Sequence, residues 1–412
     1  MAKKTFIVTA LDIGTAFIRA AIAKCTPDLG IEIIGAAVKP CDGVKKSYIV
    51  NPEATINIAR AAIETAEREA NVEVDSVYAG ISGGHIKSGI SFAISNNLDN
   101  DSVIKDKHLN QLIENARVNA AEKGREILHE IAMEYRLDGH AAEKIQPGAV
   151  GSRIESKFLV ISADKSILEN HGRVINSAGF KVDGVCWNVI ADGLAVLSED
   201  EKKEGVLLID IGAGSTGYAV YFNNSIYYAN VFAVGGDHII NDLMIGLEVT
   251  AADAYDILEG YLKKGTITNN DTQNIIQIGS TAQKKLALNK LDIEMIIESR
   301  IEELVQFVIN DVRGNKSFNF CGKGIVLVGG TAKIPYLKEK IESISNKQTR
   351  VAFPQLSSYS IDDGKVNIFS EKHEYLIDPS CSVLLGLLRS GYNLKLKEIM
   401  NNKSFFSKIF NH

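Results

Sequence analysis

Leu208-Ile209-Asp210-Ile211-Gly212-Ala213-Gly214-Ser215-Thr216 is an apolar run that ends at an aspartate and breaks into a glycine-rich turn. Upstream the run begins at Val206, which predicts a buried strand over 206–211. Downstream, Gly217 to Phe222 is short, aromatic and β-branched, and it stops at Asn223-Asn224, a hairpin-turn pair. The segment Gly212 to Gly217 also spells G-x-G-x-x-G, the dinucleotide fingerprint. That fingerprint requires a helix after the turn, and a strand follows here, so a hairpin is the better reading. A kinase glycine loop is also a hairpin, but H-R-D and D-F-G are absent from the chain.

The pattern occurs twice. Thr5 to Ile13 reads as a buried strand containing Asp12, Gly14-Thr15 turn it, and Phe17 to Lys24 return. Asp12 and Asp210 stand 198 residues apart in a chain of 412, so the molecule reads as two related halves, each opening on a glycine-turned hairpin. Either turn alone is explained by the tolerance of glycine for tight backbone; two copies half a chain apart point to a shared task.

The chemistry that suits such turns is phosphate binding. Backbone N–H groups converge in a tight turn without side chains in the way, and they form a concave anion nest. Gly14, Thr15 and Ala16 form one candidate nest and Gly212, Gly214, Ser215 and Thr216 the other. Asp12 and Asp210 would place carboxylates beside the phosphates, where Mg²⁺ is held through its own waters. Two further glycine pairs, Gly235-Gly236 and Gly329-Gly330-Thr331, mark points where a nucleotide can approach the backbone. The ligands expected from these motifs are therefore a nucleotide's phosphates with Mg²⁺.

Composition narrows the class. A chain of 412 residues exceeds one core and favours two to three domains. Hydrophobic residues make up 45% and charged residues 23%, as in ordinary globular protein. A net charge of −6 offers no global attraction to polyanions, and no nucleic-acid partner is expected. Five scattered cysteines include no C-x-x-C pair, which argues for a reducing compartment and against a zinc site. No stretch reaches the eighteen apolar residues of a membrane span, and Asp12 cuts short the one signal-like run, so a cytoplasmic location is expected.

Between the hairpins, Asn51 to Ala70 has helical periodicity, and Val77 to Ser82 reads as a strand. His85 to Ile167 then reads as strand, helix from Asp106, strand Glu126 to Tyr135, and a later strand Lys157 to Ile161: a small α+β unit inserted in the first half. In the second half Ala251 to Lys263 and Asp292 to Val312 are expected helices, Gly324 to Val328 is a buried strand, and Pro335 is expected to open a helix.

The order of these motifs resembles the actin superfamily, and the detail resembles its FtsA family of bacterial cell-division proteins. The resemblance rests on Val77-Tyr-Ala-Gly-Ile-Ser-Gly-Gly-His-Ile-Lys87, Gly124-Arg-Glu-Ile-Leu-His129, Tyr135-Arg-Leu-Asp-Gly139, Pro147-Gly-Ala-Val-Gly-Ser-Arg153, the run Leu197 to Val206, and Asp378 to Leu388. It covers almost the whole chain from about residue 5. It implies an α/β, actin-like, two-lobed fold of duplicated ribonuclease-H-like halves. The implied division is 1–84, 168–192 and 365–395 for the first core and 85–167 for the inserted subdomain. The second core takes 193–247 and 316–364, a small helical subdomain 248–315, and a linker with an amphipathic tail 396–412.

The resemblance further implies a protein that binds ATP, forms actin-like filaments, and tethers the tubulin-like division GTPase FtsZ to the inner face of the cell membrane at the division site. Later division proteins would be recruited there. The FtsZ tail would dock on the helical subdomain, with Arg300 in the Glu298 to Leu304 stretch as a contact for an acidic tail. Two other readings use the same fold: a pilus-assembly platform protein, and a small-molecule kinase.

The chain departs from the family at three points. Ala213 stands where Gly is usual, Ala16-Phe17 replaces Ser-Lys after the first turn, and Ala254-Tyr255-Asp256-Ile257-Leu258 replaces the Ala-Glu-x-x-Lys nucleoside signature. Hydrolysing relatives place a Glu or Gln near Asn188 to Ala191, where this chain shows no carboxylate or Gln, so hydrolysis is expected to be slow at most.

At the C-terminus, Phe405, Phe406, Ile409 and Phe410 fill one arc of a helical wheel, with Lys403 and Lys408 on the other. Burying four such side chains yields about 1.5 to 3 kcal/mol each at most, so one copy should bind lipid weakly and a filament strongly. Ser390 to Asn402 is read as the loop before this segment, with Lys395, Lys397 and Lys403 drawn to anionic headgroups.

Overall fold

The apolar runs around Asp12 and Asp210 are central strands, and two sheets of the same design form around them. The computed structural model describes residues 5–27, 30–96, 102–264, 275–278, 286–356, 368–370 and 372–409; of these, the side chains of 262–264, 275–278, 286–287 and 400–409 are not described. In the first sheet the strand order is Lys181–Trp187, Ser76–Ile81, Phe6–Ile13, Phe17–Thr26, Gly30–Pro40, Ile368–Phe369. In the second it is Thr349–Val351, Ile325–Val328, Val206–Ile211, Thr216–Phe222, Ser225–Phe232. Each sheet carries an antiparallel meander of three strands, with two strands added in parallel beside the aspartate strand. The parallel neighbours explain why both aspartate strands are nearly all apolar: helices cover both faces of the sheet.

The first sheet is covered by the helix Pro52–Ala70, whose Ala59, Ala62, Ile63 and Ala66 are buried at the spacing of one helical face. Its other face meets the long C-terminal helix Ser382–Ile409, through Leu384, Leu385, Leu387, Leu388 and Tyr392. The second sheet packs on Gly236–Leu247 and on Lys290–Gly314, which buries Ile297, Ile301, Leu304, Val305 and Val308.

The inserted unit is a four-stranded antiparallel sheet in the order Lys87–Asn96, Arg153–Asp164, Arg125–Leu137, His140–Ala142, with the helix Asp106–Ala120 against it. The later strand is longer than the expected 157–161. Of Arg153 to Lys157 only Ile154 is apolar, yet Ile154 and Ser156 are buried and the strand is paired on both sides from Ile154 onward.

Two expectations are corrected. The helix after Pro335 begins at Leu337, because Tyr336 takes a left-handed φ of 64° and caps the helix start from outside it. The segment Ser390 to Asn402, read as a loop, is helical and continuous with the helix begun at Ser382. Packing holds it there: Tyr392 OH donates to Pro27 O at 3.2 Å, and Lys395 Nζ reaches Ile7 O at 3.0 Å and Asp183 at 3.6 Å. Lys395 is therefore committed to the first sheet and is not a free headgroup contact. Phe405, Phe406, Lys408 and Ile409 have backbone in this helix but side chains outside the described residues, and Phe410 lies outside them altogether.

Candidate functional site

Both aspartates sit at the last turn of register before their hairpins close. Asp12 lies across from Arg19, whose Nη1 donates to Asp12 Oδ2 at 3.3 Å, and both side chains are buried. Asp210 lies across from Gly217 and so has no cation on its partner strand. The turns close alike: Gly14 N donates to Phe17 O and Gly212 N to Ser215 O, each at 3.0 Å.

The two turns meet. A β-carbon on Gly214 would collide with Thr15 Oγ1, and Ser215 Oγ lies 3.0 Å from Ser47 Oγ and 3.4 Å from Ser82 Oγ. Ser47 N in turn donates to Thr15 Oγ1 at 3.1 Å. Thr15, Ser47, Ser215 and Ser82 thus form a linked cluster of hydroxyl residues where the first half touches the second. Ala16 anchors its own turn by accepting from Cys41 N at 2.9 Å.

The remaining glycines serve close packing in the first instance. Gly236 N and Asp237 N donate to Gly212 O and Ala213 O at 2.9 and 2.8 Å, so the second turn caps the helix Gly236–Leu247. A β-carbon on Gly235 would stand 2.5 Å from Gly212 O, and one on Gly236 2.6 Å from Thr331 Oγ1. Gly329 has φ 89°, and a β-carbon there would stand 2.5 Å from Asp210 Oδ1. Gly330 opens the short 3-10 turn Gly330–Lys333, and Thr331 Oγ1 donates to Gly212 O at 3.1 Å while Thr216 Oγ1 donates to Val234 O at 2.7 Å. The structure therefore gathers all the glycine motifs at the ends of the two aspartate strands.

A third carboxylate was not expected. Asp192 lies one helical turn beyond Asn188 on the helix Asn188–Val196, hence on the same face. It is fully buried, and neither of its oxygens has a hydrogen-bond partner; Asp12 Oδ1 and Asn188 Oδ1 lack one as well. Burial, the charges of Asp210 and Asp12, and contact with Asp210 hold Asp192 well above the usual carboxylate range, against a lowering by Ser382. Burial raises Asp210 too, as does the charge of Asp12, while Arg19 opposes both. Burial raises Asp12, with Arg19 as the main opposing influence. The expectation that no carboxylate stands near Asn188 thus fails by one residue. The i to i+4 step from Asn188 was the signal available in the sequence.

Asp12 and Asp192, buried with orphaned oxygens, and the half-buried Asp210 form a place that accepts positive charge, so the residues fit a hydrated Mg²⁺ facing Asp12 and Asp210. Among the described residues no three metal-ligating side chains converge on one point, which leaves binding through water and phosphate as the geometry available.

Arg300 is engaged within the chain. Its guanidinium grips Asp242 through two bonds at 2.5 and 3.0 Å and also pairs with Glu303, so it presents no free cation.

Comparison with known proteins fits this arrangement. The model of the family described as cell division protein FtsA matches residues 207–386, and that of the SHS2 domain inserted in FtsA matches 83–162. The chain belongs to the FtsA family. Two FtsA relatives illustrate the span: cell division protein FtsA of Borreliella burgdorferi is 28% identical over 98% of this chain and 96% of its own length. That of Pseudomonas aeruginosa is 29% identical over 84% of this chain and 83% of its own. Among solved structures, the PilM-PilN type IV pilus biogenesis complex aligns with a TM-score of 0.65, covering 93% of this chain and 98% of that one at 14% identity. At that identity the likeness concerns the fold alone. The fold is actin-like, with the FtsA-type insertion.

Proposed function

We propose that this FtsA-family chain binds ATP with Mg²⁺ between the two hairpin turns, assembles into actin-like filaments, and holds FtsZ at the cytoplasmic face of the membrane. The observation that carries the nucleotide part is the meeting of the two turns at Thr15 and Gly214, with Asp12 and Asp210 behind them. Phosphates placed there would accept from backbone N–H groups and the hydroxyl cluster, and the bound cation would offset the charge of phosphates and aspartates together. The residues proposed for the nucleotide are those at 12, 14–16, 210, 212, 214–216, 235–236 and 329–331.

Membership of a cell-division family supports the division role, and the amphipathic pattern of Phe405, Phe406, Lys408, Ile409 and Phe410 supports peripheral attachment. Among the described residues no helix is long and apolar enough to cross a membrane. The test is co-sedimentation of the full chain with anionic vesicles, with and without ATP and Mg²⁺, beside a chain truncated after Asn401. Pelleting that nucleotide enhances and truncation abolishes is the expected result. Equal pelleting of both forms, or of neither, would remove the membrane tether from the reading.

A further inference from the structure

The two phosphate turns do not close the site by themselves. A short hairpin, Val44–Lys45 paired with Tyr48–Ile49, places its two-residue tip between them. Lys46 and Ser47 both take left-handed φ, 48° and 65°, as a tight two-residue hairpin requires. The root is fixed: Val50 N and Asn51 N both donate to Gly43 O, at 2.9 and 3.0 Å, and Val44 is buried. At the tip, a β-carbon on Gly214 would stand 2.8 Å from Lys46 Cα and 3.0 Å from Lys46 N, while Ser47 bonds to both Thr15 and Ser215.

Charge gives this placement a consequence. The first turn reads Gly14-Thr15-Ala16-Phe17 and the second Gly212 to Thr216, so neither carries a lysine. Arg19 is spent on Asp12, and Lys333, beside the third glycine motif, is paired with Asp378 at 2.9 Å. A polyphosphate entering beside Asp12, Asp192 and Asp210 would bring negative charge into a site lined by carboxyl groups that already resist ionisation. Lys46 is exposed, stems from the seam between the turns, and has no carboxylate partner among the described residues.

We propose that the Lys46–Ser47 tip is the third wall of the phosphate site, with Lys46 supplying the phosphate-binding cation that both turns lack and Ser47 fixing the tip against them. A lysine serves here because a flexible stem with a compact ammonium can follow a phosphate as a point charge. The inference rests on the nucleotide reading above.

The test is equilibrium binding of ATP, ADP and AMP, each with Mg²⁺, to the full chain and to Lys46→Asn, Lys46→Arg and Lys45→Asn. Asparagine tolerates the left-handed backbone at 46, so the turn survives the loss of charge; equal thermal midpoints check this. Lys46→Asn is expected to weaken ATP and ADP about tenfold or more, and AMP by less than about threefold, with Lys46→Arg close to the parent. Lys45, on the strand opposite Tyr48, controls for net charge and should change little. Unchanged ATP binding in Lys46→Asn, or an equal loss in Lys45→Asn, overturns the assignment of Lys46 while leaving the nucleotide site standing. A parent chain that binds none of the three nucleotides overturns the nucleotide reading and this inference together.

Discussion

Gly214 abuts Thr15 so closely that a β-carbon on it would overlap the Thr15 hydroxyl and stand 2.8 Å from the Lys46 Cα. Backbone lies on one side of the contact, so little can give way. Gly214→Ala is expected to wedge the turns apart, to destabilise the chain by about 1 to 3 kcal/mol, and to weaken ATP binding. Gly172, in the helix Lys165–Ala178, meets nothing within 4 Å of its missing β-carbon. Gly172→Ala should instead stabilise by about 0.5 to 1 kcal/mol. Denaturant unfolding of the two variants checks the contrast; similar shifts in both would show that the two halves are not in contact at Gly214 in solution.

Ionised, Asp192 would carry a negative charge that no ion pair among the described side chains offsets. Its acidity is weakened in the fold, so its neutral form is favoured there and its ionisation costs stability as pH rises above the ordinary carboxylate range. Asp192→Asn keeps the shape and removes the charge. The variant is expected to unfold about 1 to 3 kcal/mol later than the parent near pH 8, with the gain shrinking towards pH 4. Urea unfolding at several pH values measures this. A loss of stability at pH 8 would mean that Asp192 is compensated by a bound cation or by a partner acting through solvent.

The two aspartate hairpins were legible because apolar run, acid, glycine turn and returning strand are all local signals. The insertion was legible for the same reason, although its strand ends were short and the strand His140–Ala142 was missed. What escaped was set by distant partners. The Val44 to Ile49 hairpin has two residues in each arm and no Asn-Gly or Asp-Gly at its tip, and Lys46-Ser47 holds left-handed backbone because Thr15 and Ser215 pin it. Asp192 reads as one polar residue in an apolar helix until Asp12 and Asp210 are brought beside it. The segment Ser390 to Asn402 reads as a loop in the sequence, yet it belongs to the helix Ser382–Ile409. Anchors at Pro27, Ile7 and Asp183 keep it wound.

Arg300, on the small helical region where an acidic FtsZ tail is proposed to dock, forms a bidentate pair with Asp242 of the helix Gly236–Leu247. Both side chains are about a quarter exposed, so Arg300→Ala should cost less than about 1 kcal/mol. Asp242→Asn is the more telling change, because it frees the guanidinium without removing it. If Arg300 receives the tail, Asp242→Asn should tighten binding of an FtsZ tail peptide several-fold at low salt, and Arg300→Ala should weaken it. Fluorescence anisotropy with a labelled peptide reads both. Identical affinities for parent and both variants would place the docking contact elsewhere.

Three histidines make the chain sensitive to mild acid. His129 Nε2 accepts from Trp187 N at 3.0 Å, and His85 and His171 are buried with ring nitrogens that have no partner. Burial lowers all three to about 4, with Arg125 adding to the effect at His85 and His85 at His171. In the unfolded chain each would titrate near 6.5, so between about 6.5 and 4 the unfolded chain binds more protons than the folded one. Their contribution is therefore complete above about pH 7 and is lost as pH falls towards 4, at no more than roughly 3 kcal/mol for each histidine. His129→Gln keeps an acceptor for the Trp187 N–H without titrating, so its stability should fall less steeply across that window than the parent's. Parallel pH profiles for the two would mean that His129 is not held neutral by the fold.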